Sequence, residues 1–315
     1  MSTQNRPPLI AVLGGTGTVG TEVLRMLAQR SCSVRSILRQ PLSHYVVPPQ
    51  EQPARVSYVL ADMAVEAQLA HAMADVDALF LLVGTHPGQV ETETQVIRVA
   101  QQVGVRRIIK LSAPVVQAPA SVEVAHWHRA IEEQLAASGI EHCSLRPYAF
   151  MQNWLRNAEP IRQRRVITGS AGDAPRNYVD CRDVALVACD LLLSEQAPAV
   201  AALTLTGPES LTNREMAEQI ALVSGAPMRY ENLTREEHEQ QLLKYGRLPP
   251  WLARHIVELE ELALRIPEPA TSTIAALLPR QPRRMNEFLY EHRAAFMPPD
   301  QPAPLRALIA WAQGR

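Results

Sequence analysis

The chain has 315 residues, of which 47% are hydrophobic and 20% charged, and its formal net charge is −1. A chain of this length can bury a sizeable core, as one large domain with an appended lobe. The near-neutral charge predicts no nucleic-acid partner and no anionic membrane partner. The longest apolar run, Ala78–Val83, is too short to span a membrane and fits a buried strand. The polar N-terminus, residues 1–8, lacks a signal-peptide pattern, and we expect it to be flexible.

The four cysteines indicate the redox environment in which the protein works. Cys32, Cys143, Cys181 and Cys189 are scattered along the chain without the spacing of a metal site. A reduced, cytoplasmic protein with structural cysteines is the simplest explanation. We therefore expect no bound metal.

The most informative stretch covers residues 9–20. An apolar run ends on three glycines with the spacing G-x-x-G-x-x-G, and a helical pattern follows at once. This order of strand, tight turn and helix is typical of a dinucleotide site, because the backbone can approach a pyrophosphate and the helix N-terminus attracts it. The alternative is a glycine-rich turn without a ligand. The predicted cofactor contacts in this stretch are Gly14, Thr16, Gly17, Thr18, Val19 and Gly20.

Strands and helices alternate through residues 9–150. This alternation predicts an α/β fold, a Rossmann-type doubly wound parallel sheet that binds its ligand at the carboxyl ends of the strands. Helical patterns cover 18–29, 64–74, 91–103 and 125–138. The predicted strands are Leu9–Leu13, Val34–Leu38, Val56–Leu60, Ala78–Val83, Arg107–Leu111 and His142–Leu145.

The regular alternation of strands and helices ends after residue 150. A helix is predicted from about Asp180, a further strand at Leu203–Thr206, and capping boxes at Thr212 and Thr234. Prolines crowd the region from 249 to 304 and predict short helices joined by turns. We therefore expect a dinucleotide-binding domain over residues 9–150. A smaller, mostly helical substrate lobe would cover 151–315, with some segments returning to the sheet.

The second predicted strand bears on the choice of cofactor. Arg39 follows it, where NAD-preferring sites carry an acid for the ribose 2′-hydroxyl. A guanidinium pairs instead with a 2′-phosphate, so NADPH is expected over NADH. The alternative is a solvent-exposed arginine without a ligand.

Two further strand ends add candidate cofactor contacts. Asp62 follows the third strand, and its carboxylate either binds the adenine edge or caps the helix near Ala64. Val83, Gly84 and Thr85 end the fourth strand, where the cofactor's ribose would pass. Gly84 serves either backbone clearance or the turn.

Several later stretches, taken in order and spacing, make the chain resemble the NmrA-like branch of the atypical short-chain dehydrogenase/reductases. The resemblance covers residues 9 to about 225, and Arg283–Phe288 looks like the family's closing segment. It implies a Rossmann-type NAD(P) domain with a small C-terminal substrate lobe. The matching stretches are Gly14–Gly20, Arg39, Asp62, Val105–Ala113, Ala137–Ile140, Leu145–Pro147, Phe150–Asn153, Tyr178–Ala185 and Leu205–Leu211.

Short-chain reductases usually work with a serine and a Tyr-x-x-x-Lys dyad. Registered on that pattern, the chain carries Val124 in place of the tyrosine and His128 in place of the lysine, whereas Ser112 occupies the position that resembles the catalytic serine. His128 and Glu132 lie one helical turn apart, as in the quinone oxidoreductase type 2 members of the family, and a carboxylate favours a protonated imidazole. Such a pair could protonate a substrate. Equally, it could be an ordinary ion pair on a solvated helix face.

Other candidates follow the sixth predicted strand. The phenol of Tyr148 could donate a proton to a substrate oxygen, or its ring could be a pocket wall. Asn153 resembles a family position near the substrate, and its amide could instead cap the next helix. Phe150 and Trp154 would line an apolar substrate pocket with Tyr148.

The sequence favours an NADPH-dependent oxidoreductase without a Tyr-x-x-x-Lys dyad. Its acceptor would be a quinone, an enone or an activated carbonyl, and His128, Tyr148 and Ser112 are the candidate catalytic residues. One alternative is a non-catalytic NAD(P)-binding redox sensor or regulator, as the resemblance implies for NmrA itself. Another is a tailoring enzyme of secondary metabolism. The expected partner is a small-molecule substrate, and a homodimer is an arrangement that the sequence leaves open.

Overall fold

The computed structural model describes residues 6–42, 55–114 and 122–297, which form two compact units. The first unit runs to Pro147 and adds Cys181–Leu205 and Ala276–Pro279. The second contains Tyr148–Asp180, Thr206–Ala275 and the described residues from Arg280 onward. Of the N-terminus expected to be flexible, residues 1–5 lie outside the described ranges.

Twelve strands are present in the described residues, and most are short. They are β1 (Leu9–Leu13), β2 (Ser33–Leu38), β3 (Arg55–Leu60), β4 (Ala78–Leu81), β5 (Arg107–Leu111), β6 (Glu141–Pro147), β7 (Ala149–Phe150), β8 (Val166–Gly169), β9 (Arg176–Val179), β10 (Ala202–Leu205), β11 (Ser210–Leu211) and β12 (Arg229–Asn232).

Twelve α-helices accompany them in the same ranges, with a short 3-10 helix at Arg293–Ala295. They are α1 (Thr18–Leu27), α2 (Glu66–Ala72), α3 (Gln89–Gln102), α4 (Glu123–Ala137), α5 (Asn153–Arg156), α6 (Ala158–Arg164), α7 (Cys181–Leu193), α8 (Asn213–Ser224), α9 (Arg235–Lys244), α10 (Pro250–Ala263), α11 (Thr273–Leu277) and α12 (Met285–Glu291).

A seven-stranded parallel sheet organises the first unit, in the order β10-β6-β5-β4-β1-β2-β3. The chain runs from β1 outward to β3, then crosses to β4 and continues outward to β10. Strand order therefore reverses between β1 and β4, and a sheet of this kind binds ligands at that point, outside the carboxyl ends of its strands. The predicted doubly wound sheet is confirmed, and the strand predicted at Leu203–Thr206 is β10.

Helices cover both faces of this sheet because its strands are apolar on both sides. Ile10, Ala11 and Val12 of β1 are fully buried. Helix α1 packs against α7, whereas α3 packs against α2 and α4. Leu69 of α2 and Val96 of α3 share one core cluster with the strands.

The fourth strand is shorter than predicted, since it ends at Leu81 and not at Val83. Its pairing with β1 ends at Phe80, and its pairing with β5 ends at Leu81. The apolar run continues past this point, so hydrophobicity alone could not locate the end of the ladder.

The second unit contains two small sheets, in the orders β11-β9-β7 and β12-β8, together with helices. Both predicted capping boxes are present: the Thr212 hydroxyl accepts from the Glu215 N–H at 3.1 Å, and the Thr234 hydroxyl accepts from the Glu237 N–H at 3.2 Å. Met216, Ile220 and Phe288 are fully buried in its core. Within the described ranges, every helix is too short or too polar to span a bilayer.

Candidate functional site

The glycine turn places the start of α1 directly on the end of β1. Gly14 has a φ of +74°, in the left-handed region that favours glycine. A Cβ on Gly20 would lie 2.1 Å from the Gly14 carbonyl oxygen, and a Cβ on Gly14 would lie 2.5 Å from the Leu82 carbonyl oxygen. Side chains at these two positions would therefore push the turn away from the helix and from the neighbouring strand.

The N-terminus of α1 has the polarity that an anion needs. Gly17 is the N-cap residue and has no side chain to cap the helix, and the first turn contains no acid. Thr16 and Gly17 are exposed, Thr18 is half-buried, and Val19 is buried against the core. The helix dipole and the N-terminal amides therefore meet no carboxylate from the first turn of the helix.

Arg39 lies at the same edge of the sheet as the glycine turn. Leu13, the last residue of β1, is level with Ile37 of β2, and Arg39 follows two residues later with an exposed side chain. A positive charge therefore stands one strand away from the helix N-terminus. Its role in selecting the cofactor stays a prediction.

Asp62 closes a turn after β3. Its carboxylate accepts from the Ala64 N–H at 2.9 Å, and its own N–H donates to the Gln68 side chain at 2.8 Å. The alternative of a helix cap by Asp62 is wrong, because α2 begins at Glu66 with Val65 as its N-cap and no side chain caps it. Binding of adenine by Asp62 stays a prediction.

The segment after β4 leaves room beside its backbone. Val83 is buried, whereas Gly84 and Thr85 are exposed. A Cβ on Gly84 would meet no atom of the described residues within 4 Å, and Gly84 is not among the positive-φ glycines. Neither packing nor turn geometry thus explains a glycine here, which favours the clearance interpretation.

Ser112, which directly follows β5, forms a cluster with Glu132 of α4 and Arg146 of β6. The Ser112 N–H donates to the Leu145 carbonyl oxygen at 2.7 Å, which fixes the end of β5 against β6. The Ser112 hydroxyl donates to Glu132 Oε1 at 2.5 Å. Arg146 Nε donates to the same oxygen at 3.1 Å, and Arg146 Nη2 donates to Oε2. We name these three residues the serine cluster.

His128 lies on the buried face of α4, with Val124 and Ile131. Only 5% of His128 is exposed, so the alternative of an ion pair on a solvated face is wrong. The spacing along α4 predicts that Glu132 pairs with His128, but Glu132 binds Ser112 and Arg146. Arg146 lies in Leu145–Pro147, a stretch that predicts no site residue by itself. The spacing of residues along the chain could not reveal the pair of Arg146 and Glu132, because the two residues lie on different elements.

The predicted substrate residues lie in the second unit. Tyr148, Phe150 and Asn153 are half-buried. Trp154 is 8% exposed and belongs to the core, with its ring edge against Tyr178 at 5.7 Å between centroids. The proposed cap is wrong, because Asn153 is the first residue of α5 and no side chain caps that helix.

Burial sets the protonation state of Tyr148. Desolvation raises the pKa of its phenol, the nearby carboxylate of Glu268 raises it further, and Arg176 lowers it. The phenol therefore keeps its proton at neutral pH and can donate a hydrogen bond.

The cysteines agree with the structural role expected of them. All four are buried thiols. Burial raises the pKa of Cys32 to about 11 and that of Cys143 to about 12. Neither is a thiolate at neutral pH, which makes a nucleophilic role unfavourable.

Two known proteins similar to this chain over almost its whole length are named as reductases. A family model described as NAD(P)H-binding matches residues 14–195. The (4-alkanoyl-5-oxo-2,5-dihydrofuran-3-yl)methyl phosphate reductase of Streptomyces griseus is 32% identical over 92% of this chain and 100% of its own length. The NAD(P)H azoreductase of Xenophilus azovorans is 30% identical over 91% of this chain and 99% of its own.

The fold is also that of a solved NADPH complex. The NADPH-dependent quinone oxidoreductase of Escherichia coli in complex with NADPH has a TM-score of 0.77 and 24% identity, and the match covers 90% of this chain and 99% of that one.

Proposed function

The chain belongs to the NAD(P)H-binding family, and on that basis we propose that it is an NADPH-dependent oxidoreductase that reduces a small organic acceptor. The observation that carries the proposal is the acid-free N-terminus of α1, held on the end of β1 by two glycines that tolerate no side chain. Because the glycine turn has no side chains and lies at a helix N-terminus, its backbone can approach and bind a pyrophosphate.

The rest of the cofactor fits the same edge of the sheet. Arg39 offers its guanidinium to a 2′-phosphate, and the open space at Gly84 lies on the opposite side of the turn. When bound, NADPH supplies the hydride. The chain's own residues bind the cofactor, orient the acceptor and hold or supply a proton.

The two relatives suggest the chemical class of the acceptor. One reduces an azo compound, and the other a furanone that carries oxo and alkanoyl groups. Both acceptors contain conjugated, electron-poor double bonds over which an added electron pair can spread. Such acceptors depend less on a strong acid than a simple carbonyl does, which suits a chain with Val124 and His128 where the dyad would stand. We infer a quinone, an enone or an azo compound as acceptor.

Tyr148 is the best-supported proton donor. Its phenol keeps its proton and is half-buried, whereas His128 is the second candidate and is buried on a core-facing helix surface. General acid assistance contributes roughly 100- to 10,000-fold. We expect Tyr148→Phe to lower kcat and leave the Kd for NADPH unchanged.

Cofactor choice is tested by dissociation constants for NADPH and NADH. We expect the wild type to bind NADPH more tightly, and Arg39→Ala to lose most of that preference because the 2′-phosphate loses its partner. Arg25→Ala is the matched control, since Arg25 is an exposed arginine on α1 that binds Glu22. Equal affinities of the wild type for both cofactors would contradict the assignment.

The missing dyad also suits a protein that binds the cofactor without turning it over. A panel of a quinone, an azo dye and an unsaturated lactone separates the two functions. Oxidation of NADPH by any member supports the oxidoreductase. Stoichiometric binding of NADPH without oxidation by any of the three supports the sensor.

A further inference from the structure

The hydroxyl proton of Ser112 is directed into the protein. Its Oγ donates to Glu132 Oε1 at 2.5 Å, and its backbone N–H donates to the Leu145 carbonyl oxygen at 2.7 Å. A serine has no other donor, whereas its oxygen retains lone-pair capacity. Toward any ligand, Ser112 is therefore a hydrogen-bond acceptor.

Glu132 is held in the orientation that fixes this direction. Arg146 donates to both of its carboxylate oxygens, so the carboxylate is held in one orientation toward Ser112. The side chains of Arg146 and Glu132 are only 19% and 14% exposed, so solvent screens the pair weakly. A carboxylate can only accept, so the serine must donate to it.

The serine cluster lies along the path expected for the cofactor. Across the sheet the strands run β5-β4-β1-β2, with Ser112 following β5 and Arg39 following β2. Neighbouring strands are about 4.8 Å apart, so β5 is about 10 Å from β1. If Arg39 holds the 2′-phosphate and α1 the pyrophosphate, the nicotinamide half would extend toward β4 and β5.

We propose that the Ser112 hydroxyl oxygen accepts a hydrogen bond from the N–H of the nicotinamide carboxamide. Glu132 and Arg146 are then positioning residues, because they keep the Ser112 hydroxyl proton directed toward Glu132. This inference rests on the proposed function. It also assigns Ser112 a role different from the one implied by resemblance to the catalytic serine. Ser112 does not donate a proton to the acceptor, and that task falls to another group.

The test compares dinucleotides that differ only at the carboxamide. The 3-acetylpyridine analogue of NADP has no N–H there, whereas the thionicotinamide analogue keeps its NH₂ group. Calorimetry gives the Kd of each. We expect the wild type to bind NADP and the thionicotinamide analogue about threefold to tenfold more tightly than the acetyl analogue, the range of one hydrogen bond. Ser112→Ala should remove this preference.

Glu132→Gln tests the positioning role. With Arg146 bound to the amide oxygen, the amide NH₂ would donate to Ser112 and turn the hydroxyl proton toward the ligand. The preference should then shift toward the acetyl analogue, which only accepts. Glu133→Gln is the matched control, because Glu133 is the exposed neighbour on the same helix. Loss of local order alone would weaken the binding of all three dinucleotides and leave the ratio of their Kd values unchanged.

Either of two results overturns the inference: a Ser112→Ala protein that keeps the wild-type ratio, or equal ratios for Glu132→Gln and Glu133→Gln. Should Glu132→Gln fail to fold, Ser112→Ala decides alone. A wild type that binds no dinucleotide overturns the proposed function as well. A wild type that oxidises NADPH but shows no preference between the analogues overturns only the role of Ser112.

Discussion

At the scale of single residues, the turn after β1 depends on glycine for close packing, whereas the turn after β4 does not. Gly20 touches the backbone of Gly14, but nothing in the described residues approaches the Cβ position of Gly84. The spacing of Gly14, Gly17 and Gly20 predicted the first turn. It could not distinguish glycines that pack against protein from one whose Cβ position is open.

Substitution by alanine separates these two roles. We expect Gly20→Ala to destabilise the protein by about 1–3 kcal/mol, because the new Cβ would force backbone apart. Gly84→Ala should stay within about 0.5 kcal/mol of the wild type, since its Cβ enters open space. Urea unfolding measures both. Equal stability of the two variants would contradict the packing role of Gly20.

His255 on α10 should make stability depend on pH. Burial lowers the pKa of its imidazole to about 4. Because the unfolded chain takes up this proton near pH 6.5 and the folded chain only near pH 4, stability should fall as the pH drops between these values. His255→Leu should flatten this part of the profile by about 2–3 kcal/mol, read from urea unfolding at several pH values.

Exposed His71 on α2 offers the matched control. His71→Leu should retain the wild-type slope. If His255→Leu and the wild type lose stability in parallel between pH 6.5 and 4, burial of the neutral imidazole is not the cause.

At the scale of elements, β5 holds the end of α7 through one buried arginine. The Arg107 guanidinium is fully buried and donates to Glu141 and to the carbonyl oxygens of Leu191, Ser194 and Gln196, at 2.6–3.1 Å. Since α7 ends at Leu193, these oxygens include those that no longer have a partner within the helix. A strand residue thus caps a helix that follows much later in the chain.

Removal of this guanidinium should be costly. We expect Arg107→Met to destabilise the protein by about 3–5 kcal/mol, because it leaves buried carbonyl oxygens and a carboxylate without their hydrogen-bond donor. Arg106 binds the same Glu141 at 2.9 Å with a side chain that is 47% exposed. Arg106→Met should therefore cost at most about 1 kcal/mol. Similar losses of thermal stability in the two variants would contradict the capping role.

Local patterns predicted the elements that depend on nearby residues. The capping boxes at Thr212 and Thr234 and most strands of the large sheet follow from neighbours in sequence. The short strands of the second unit, such as β7 and β11, have two residues each and carry too little pattern to predict. The serine cluster was also missed, because its contacts depend on how β5, β6 and α4 pack together.

At the scale of the whole molecule, the sequence predicted the fold, the family and the cofactor class. The order of the motifs carried that information, and the seven-stranded parallel sheet agrees with it. The acceptor could not be predicted in the same way. The residues predicted to line its pocket did not specify it either, since one of them, Trp154, is instead part of the core of the second unit.

Cofactor binding should stabilise the whole protein. At 100 times its Kd, NADPH should add about 2.7 kcal/mol to the free energy of unfolding, and NADH at the same concentration should add less. Thermal unfolding with each cofactor measures this difference. Equal shifts of the midpoint would contradict the selection of the 2′-phosphate.

The central claim, that this chain reduces an acceptor with NADPH, is tested most directly by a single-turnover experiment. Enzyme in excess is mixed with NADPH deuterated at the nicotinamide C4 and an acyl-substituted unsaturated lactone. We expect NADPH to be oxidised only when the lactone is present, and the deuterium to appear on a carbon of the product. NADPH that binds stoichiometrically but stays unoxidised, with this lactone and with the quinone and azo acceptors, would contradict the claim.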